Sequence, residues 1–129
     1  MKLLLHTVPT PILLFVLGAV GYPLIELLWR GRTHWTMSLA GGVSMVLLLY
    51  ISRTALPLPA MWFAGALAIT AVEFAIGCAV NLGLHWEIWD YSNLPLNLLG
   101  QVCLPFTAVW FVLSIPAVSL CQIIDRAAG

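Results

Sequence analysis

The sequence predicts an all-α fold, a polytopic transmembrane bundle of four helices. Three observations carry this expectation. Apolar residues make up 62% of the 129-residue chain and charged residues only 8%. The mean hydropathy is +1.04. The apolar residues gather into four runs, and a bilayer core takes roughly 20 helical residues per crossing. A soluble globule of this length has too little interior to hide so much apolar surface. The lipid bilayer is therefore the expected partner of most of the surface, and residues 1–129 are expected to form one transmembrane domain.

The first run gives a span at about 8–29, ended by Arg30, Gly31 and Arg32. Lys2, the leucines that follow it and Ala19-Val20-Gly21 have the form of a secretion signal with a small-residue cleavage site. The apolar run nevertheless continues through Glu26 to Trp29, so it is expected to be retained as the first span. The second span, about 37–52, is short unless its ends reach toward Trp35 and Arg53. Prolines at 57 and 59 mark a turn, and proline is tolerated in the first turn of the helix that follows. The third span is expected at 60–84. The fourth, 94–124, is longer than one crossing needs, and its beginning is expected to be re-entrant, interfacial or steeply tilted.

Four spans place the Arg30–Trp35 and His85–Asn93 loops on one side, and both termini with Arg53 on the other. Lys2, Arg53 and Arg126 then oppose Arg30 and Arg32, which by the positive-inside rule favours cytoplasmic termini in a bacterial inner membrane. Trp29, Trp35, Trp86 and Trp89 read as an interfacial aromatic belt, with Trp62 at the opposite interface. His6 and His34 also read as interfacial. The formal net charge is zero and there is no basic patch, which argues against a nucleic-acid partner. Cys78, Cys103 and Cys121 lack CxxC spacing and read as small packing residues. Without HExxH, a three-His set or a His/Cys group, neither a metal nor a cofactor is expected.

Charge inside a lipid-spanning helix costs several kcal/mol unless it is paired or hydrated, so such residues are functional candidates. Glu26 and Arg30 share a helix face at four-residue spacing, on a stripe that includes Gly18 and Tyr22, with Pro23 interrupting the helix. Glu73 lies well inside the third span, with Gly77 and Asn81 following on its face. Arg30 is its expected counter-charge, with His34 and His85 as alternatives. In the fourth run, Asn97, Gly100 and Gln101 occupy neighbouring helical positions. Pro105 is expected to free the Gln101 carbonyl, and Pro116 marks a second bend. Thr107, Trp110 and Ser114 add a weaker polar stripe. Gly18/Gly21, Ser38/Gly41/Gly42 and Gly65/Ala68 permit close helix contacts. Between the third and fourth spans, Trp86-Glu87-Ile88-Trp89-Asp90-Tyr91-Ser92-Asn93 breaks the apolar wall, with Asp90 as a cap for the fourth span.

These pieces resemble the ABC-transporter type IV family of small four-span bacterial membrane proteins, also called ABC transporter permeases. The matching residues are Gly21-Tyr22 with Glu26, Trp29-Arg30-Gly31, His34-Trp35-Thr36-Met37 and Gly41-Gly42. They continue through Glu73-Phe74, Gly77, Asn81, Trp89-Asp90-Tyr91-Ser92, Pro95 with Asn97, Leu99 to Pro105, and Trp110. The resemblance implies a membrane component of a transporter, whose candidate ligand-binding residues are Glu26, Arg30, Glu73, Asn81, Asp90, Tyr91, Asn97 and Gln101. It also implies a separate ATPase subunit, because this sequence has no GxxxxGK[ST] loop for hydrolysing ATP itself.

The expected function is that of a permease or ligand-binding transport subunit, with a polar site where the first, third and fourth helices meet. Glu73 is its ion- or proton-responsive group and Arg30 its counter-charge or anion contact. One copy leaves little room for a wide path, which points to a homodimer. The alternative is a structural lipid- or protein-binding adaptor whose charges only hold helices together. An intramembrane enzyme using Glu26, Glu73 or Asp90 as general acid or base is the third reading, and no GxSxG or Cys–His nucleophile accompanies those carboxylates.

Overall fold

The structure is a computed structural model that describes residues 7–128. Lys2, the leucines after it and His6 lie outside the described residues. Four helices carry the chain: α1 (Thr10–Arg30), α2 (Trp35–Ser52), α3 (Leu58–Gly77) and α4 (Leu104–Ala128). Helix α3 runs on as a wider π turn over Cys78–Gly83, so its helical path ends close to the expected boundary. All four are long and apolar enough to cross a membrane.

Local sequence explains the helix ends. Gly31 closes α1 in the left-handed conformation (φ 72°), and its N–H returns to the Leu27 carbonyl at 3.0 Å. His34 caps α2, its Nδ1 accepting from the Thr36 N–H at 3.3 Å. Prolines fill the first turns of α1 and α3, where no N–H is required.

Helix α2 is the centre of the bundle, packing against α1, α3 and α4. Its partnership with α1 is the closest and rests on Gly18 and Gly41. A Cβ on either residue would collide with the carbonyl oxygen of the other. Gly42 similarly admits the Phe15 ring. Gly21, expected to pack like Gly18, has open space where its Cβ would be. The main core gathers Leu14, Leu48, Leu49, Met61, Ala66, Ile69, Trp110, Val118 and Cys121. At the terminal end, Arg53 makes a bidentate contact with Asp125 at 2.8 Å, joining the α2 end to α4.

The beginning of the expected fourth span is not helical. Residues 84–103 form an irregular segment ending in a two-stranded hairpin, β1 (Asn97–Leu98) with β2 (Val102–Cys103). Helix α4 starts at Leu104, so Pro105 sits in its first turn and breaks nothing. The stretch is thus non-helical, with Gln101, Val102 and Cys103 at its end buried in protein.

The glycine contacts give a direct contrast. Gly18→Leu or Gly41→Leu must push α1 away from α2, at a cost of about 1–3 kcal/mol or more. Gly21→Leu meets no protein atoms and should melt close to wild type. Thermal unfolding in one detergent ranks the three.

Candidate functional site

The loop end of the bundle brings most of the candidate residues together, in two groups with different chemistry. The first is a scaffold. Asn81, exposed to partners by the π turn, accepts the Ile88 N–H on Oδ1 at 2.7 Å and donates from Nδ2 to Gln101 Oε1 at 2.8 Å. Gln101 Nε2 donates to the Leu99 carbonyl at 3.0 Å. The Gln101 carbonyl, expected to be freed by Pro105, accepts Trp89 Nε1–H at 2.9 Å. Trp89 is thus buried inside the protein at 6% exposure, not part of the belt. Gly77 makes room for this arrangement: a Cβ there would come within 2.6 Å of Gln101 Oε1 and 2.9 Å of the Trp89 ring.

Asn97 and Asp90 belong to the same scaffold. Asn97 donates to the Ser92 and Leu94 carbonyls at 3.2 and 3.0 Å, and accepts from Gly100 N–H at 3.1 Å. Asp90 is exposed and accepts the Ser92 N–H at 2.8 Å, so it shapes a turn in the loop and does not cap α4. That bond to Ser92 holds its carboxyl below the ordinary 3.8. Four non-glycine residues of the segment, His85, Glu87, Leu96 and Leu99, have φ between 53° and 58°. Such conformations persist only where the surroundings over-determine them, and these side-chain bonds to backbone supply that determination.

The second group surrounds Glu73, which is 7% exposed. Its Oε2 accepts from the Tyr91 hydroxyl at 2.9 Å and its Oε1 from Trp110 Nε1–H at 3.3 Å. Tyr91 comes from the loop, stacked on Phe106 at 4.8 Å, while Trp110 comes from α4 and also meets Tyr22 at 5.7 Å. Tyr22, Met37, Ala40, Ser44, Ile69 and Val72 close a cavity of about 10 Å³ against Glu73, Trp89 and Trp110.

Arg30 is not the partner of Glu73. Its Nη1 pairs with Glu26 Oε2 at 3.1 Å, and its Nη2 donates to the Ile88 carbonyl at 3.3 Å. The other Glu26 oxygen accepts from Thr33 at 3.1 Å. Neither His34 nor His85 replaces it: His34 caps α2 and joins Trp35 and Trp86 in an aromatic cluster with centroids 5.7–6.1 Å apart. Glu26, Arg30, Arg32, Thr33, His34, Met37, Trp86, Glu87 and Ile88 line an open vestibule of about 470 Å³.

The contribution of α2 is what the sequence reasoning missed. The Glu73 cavity lies among all four helices, and Met37 lines both it and the vestibule. Thr33 and Met37 carried no signal beyond their position beside His34-Trp35.

The family model described as "Putative ABC-transporter type IV" matches residues 36–127, most of the chain. The chain belongs to this family. With four helices able to cross a bilayer, it is a membrane protein of a transport-related family. The ABC-transporter type IV match takes in Glu73, Asn81, Asp90, Tyr91, Asn97 and Gln101, whereas Glu26 and Arg30 precede it. Neither the curated proteins nor the solved structures compared with the chain gave a match.

Two outcomes follow from the scaffold. Asn81→Leu leaves the Ile88 N–H and Gln101 Oε1 without a partner, costing about 1–3 kcal/mol; a lowered detergent melting point and faster proteolysis within 84–103 report it. The Asp90–Ser92 turn depends on an ionised carboxyl whose value is depressed in the folded protein. Its contribution is therefore complete above the ordinary 3.8 and lost as pH falls through the lower folded value. The protection factor of the Ser92 amide, the intrinsic exchange rate divided by the observed rate at the same pH, should fall over that range in wild type and already be low at neutral pH in Asp90→Ala.

Proposed function

We propose that this protein is a permease or ligand-binding subunit of a transporter, with its site running from the vestibule to Glu73. The observation that carries the reading is that Met37 lines both the open pocket at Glu26 and Arg30 and the small cavity at Glu73, so that a single side chain stands between a charged pocket and a buried carboxylate. In the vestibule Arg30 and Arg32 offer guanidinium donors suited to an anionic group, and Trp86 offers an apolar face. Glu73 is the ion- or proton-responsive group below. Asn81, Asp90, Tyr91, Asn97 and Gln101 hold the loop that forms one wall.

With cytoplasmic termini in a bacterial inner membrane, the vestibule opens away from the cytoplasm. Arg53 and Arg126 balance Arg30 and Arg32 within the described residues, so that orientation leans on Lys2. ATP hydrolysis falls to a separate subunit. The apolar outer face of α1, including Ile12, Val16, Val20 and Leu24, serves lipid or a second copy in a homodimer.

A second reading, a structural adaptor, is favoured by how completely Asn81, Asn97, Gln101 and Glu26 are engaged by other protein groups. The two separate under mutation. Uptake by the reconstituted protein, screened over a broad panel rich in small anions and measured well below the melting point of every variant, should be lost in Glu73→Gln and weakened in Arg30→Met beyond what their lowered stability explains. Loss of stability in step with any loss of uptake, or mutants indistinguishable from wild type on every substrate, favours the adaptor.

A further inference from the structure

The cavity beside Glu73 is polar on two sides that do not touch each other through any hydrogen bond. On the α3 side is the carboxylate. Each of its oxygens takes one protein donor and keeps further acceptor capacity. On the α2 side is Ser44, 6% exposed, whose Oγ is buried and makes no hydrogen bond to any described protein group. Burying a hydroxyl without a partner costs about 1–3 kcal/mol. A cavity needs roughly 10–15 Å³ and two to four polar partners to take one water; this one has about 10 Å³ and a mostly apolar lining, with Glu73 and Ser44 as its polar sides. Its remaining lining, Ala40, Ile69, Val72 and aromatic rings, would leave such a molecule no other strong attachment.

We propose that this cavity holds one water, hydrogen-bonded to the Glu73 carboxyl and the Ser44 hydroxyl, which passes a proton between Glu73 and the vestibule when Met37 moves aside. The inference rests on the transport reading above for its purpose, and names the proton as the species that the same site takes up. In the inward step a hydronium ion in the vestibule gives a proton to the cavity water, which releases one of its own to Glu73. One O–H bond breaks for each that forms, and water remains on both sides. Trp110 Nε1–H is a donor only, so a proton on Glu73 Oε1 points to the water, whereas a proton on Oε2 has the Tyr91 phenol oxygen as a second acceptor. Met37 is 4% exposed and stands between the two spaces, and its unbranched side chain has the rotamers to open and close.

The groups facing Glu73 are few. Tyr22 from α1 and Tyr91 from the loop present phenols, Cys103 lies beside Tyr91, and Glu26 acts from beyond Met37 with Arg30 paired to it. Helix α2 presents Met37, Ala40 and Ser44 to the cavity and α4 presents Trp110, none of them titratable.

Infrared difference spectroscopy of the reconstituted protein without any substrate reads this site directly. The expected result is a pH-dependent carboxylic C=O band that disappears in Glu73→Gln and shifts in frequency in Ser44→Ala. Its hydrogen–deuterium exchange should be roughly tenfold faster in Met37→Ala, the effect of about 1.4 kcal/mol off an opening barrier. Met37→Leu, which keeps the volume, serves if the alanine variant fails to fold, and should also change the exchange rate. No such band at any pH where the fold survives, a band unmoved in Ser44→Ala, or exchange indifferent to both Met37 variants overturns the proposal. A band lacking these properties with uptake intact rejects the water relay alone. A gated band without uptake of any substrate leaves the relay standing and rejects the transport reading.

Discussion

A carboxylate inside a lipid-spanning helix has to be satisfied from within the protein, and the way Glu73 is satisfied organises the loop end of this bundle. Among the described residues no cation reaches it; two neutral donors do, Tyr91 from the loop and Trp110 from α4. To deliver Tyr91, the chain leaves α3 through a π turn and folds back against the bundle instead of continuing as helix. Gly77 supplies the space, Asn81 and Gln101 fix the return path, and Trp89 closes over it. The positive φ values of the loop are the conformational cost of that path. Side-chain bonds to backbone offset it where water is scarce and an unmade bond is expensive.

The charge pair at Glu26 and Arg30 is a separate device. Four residues apart on one helix, the two need no tertiary rearrangement to meet, and Thr33 takes the second carboxylate oxygen. Arg30 then reaches the Ile88 carbonyl and ties the α1 end to the loop. Neutral donors at depth and the ion pair at the water-facing end follow the gradient of desolvation cost. That division leaves Glu73 facing a small cavity without a fixed counter-charge among the described residues, the arrangement on which its proposed exchange with the vestibule depends.

Hydropathy made the spans legible, because a helix in lipid must be apolar nearly all round. It misplaced the start of α4 for the same reason. Leu94, Leu96, Leu98 and Leu99 look like the first turns of a span, while bonds from Tyr91 to Gly100 and from Trp89 to Gln101 turn that stretch into a hairpin. Glu73 stood out as a charge where none belongs, but its partners did not. A cation seemed the natural choice, and sequence gives no sign that Arg30 is already held by the carboxylate one turn away. Trp89 reads like its neighbours Trp29, Trp35 and Trp86, and only packing separates the buried indole from the three exposed ones. Ser44 was hidden altogether and Met37 appeared only within the His34-Trp35-Thr36-Met37 match, since neither residue type is unusual in a membrane helix. Their importance comes from α2 lying at the centre of the bundle, which connectivity alone does not reveal.

The claim at the centre of this account is that Tyr91 and Glu73 bind each other and thereby hold the loop in the bundle. A double-mutant cycle with Tyr91→Phe and Glu73→Gln, measured by reversible unfolding in one detergent, tests it most directly. The account predicts a coupling of about 1–3 kcal/mol, in the range of a buried bond to a charged acceptor. Additive effects, with the loop equally protected from proteolysis in all four proteins, would contradict it.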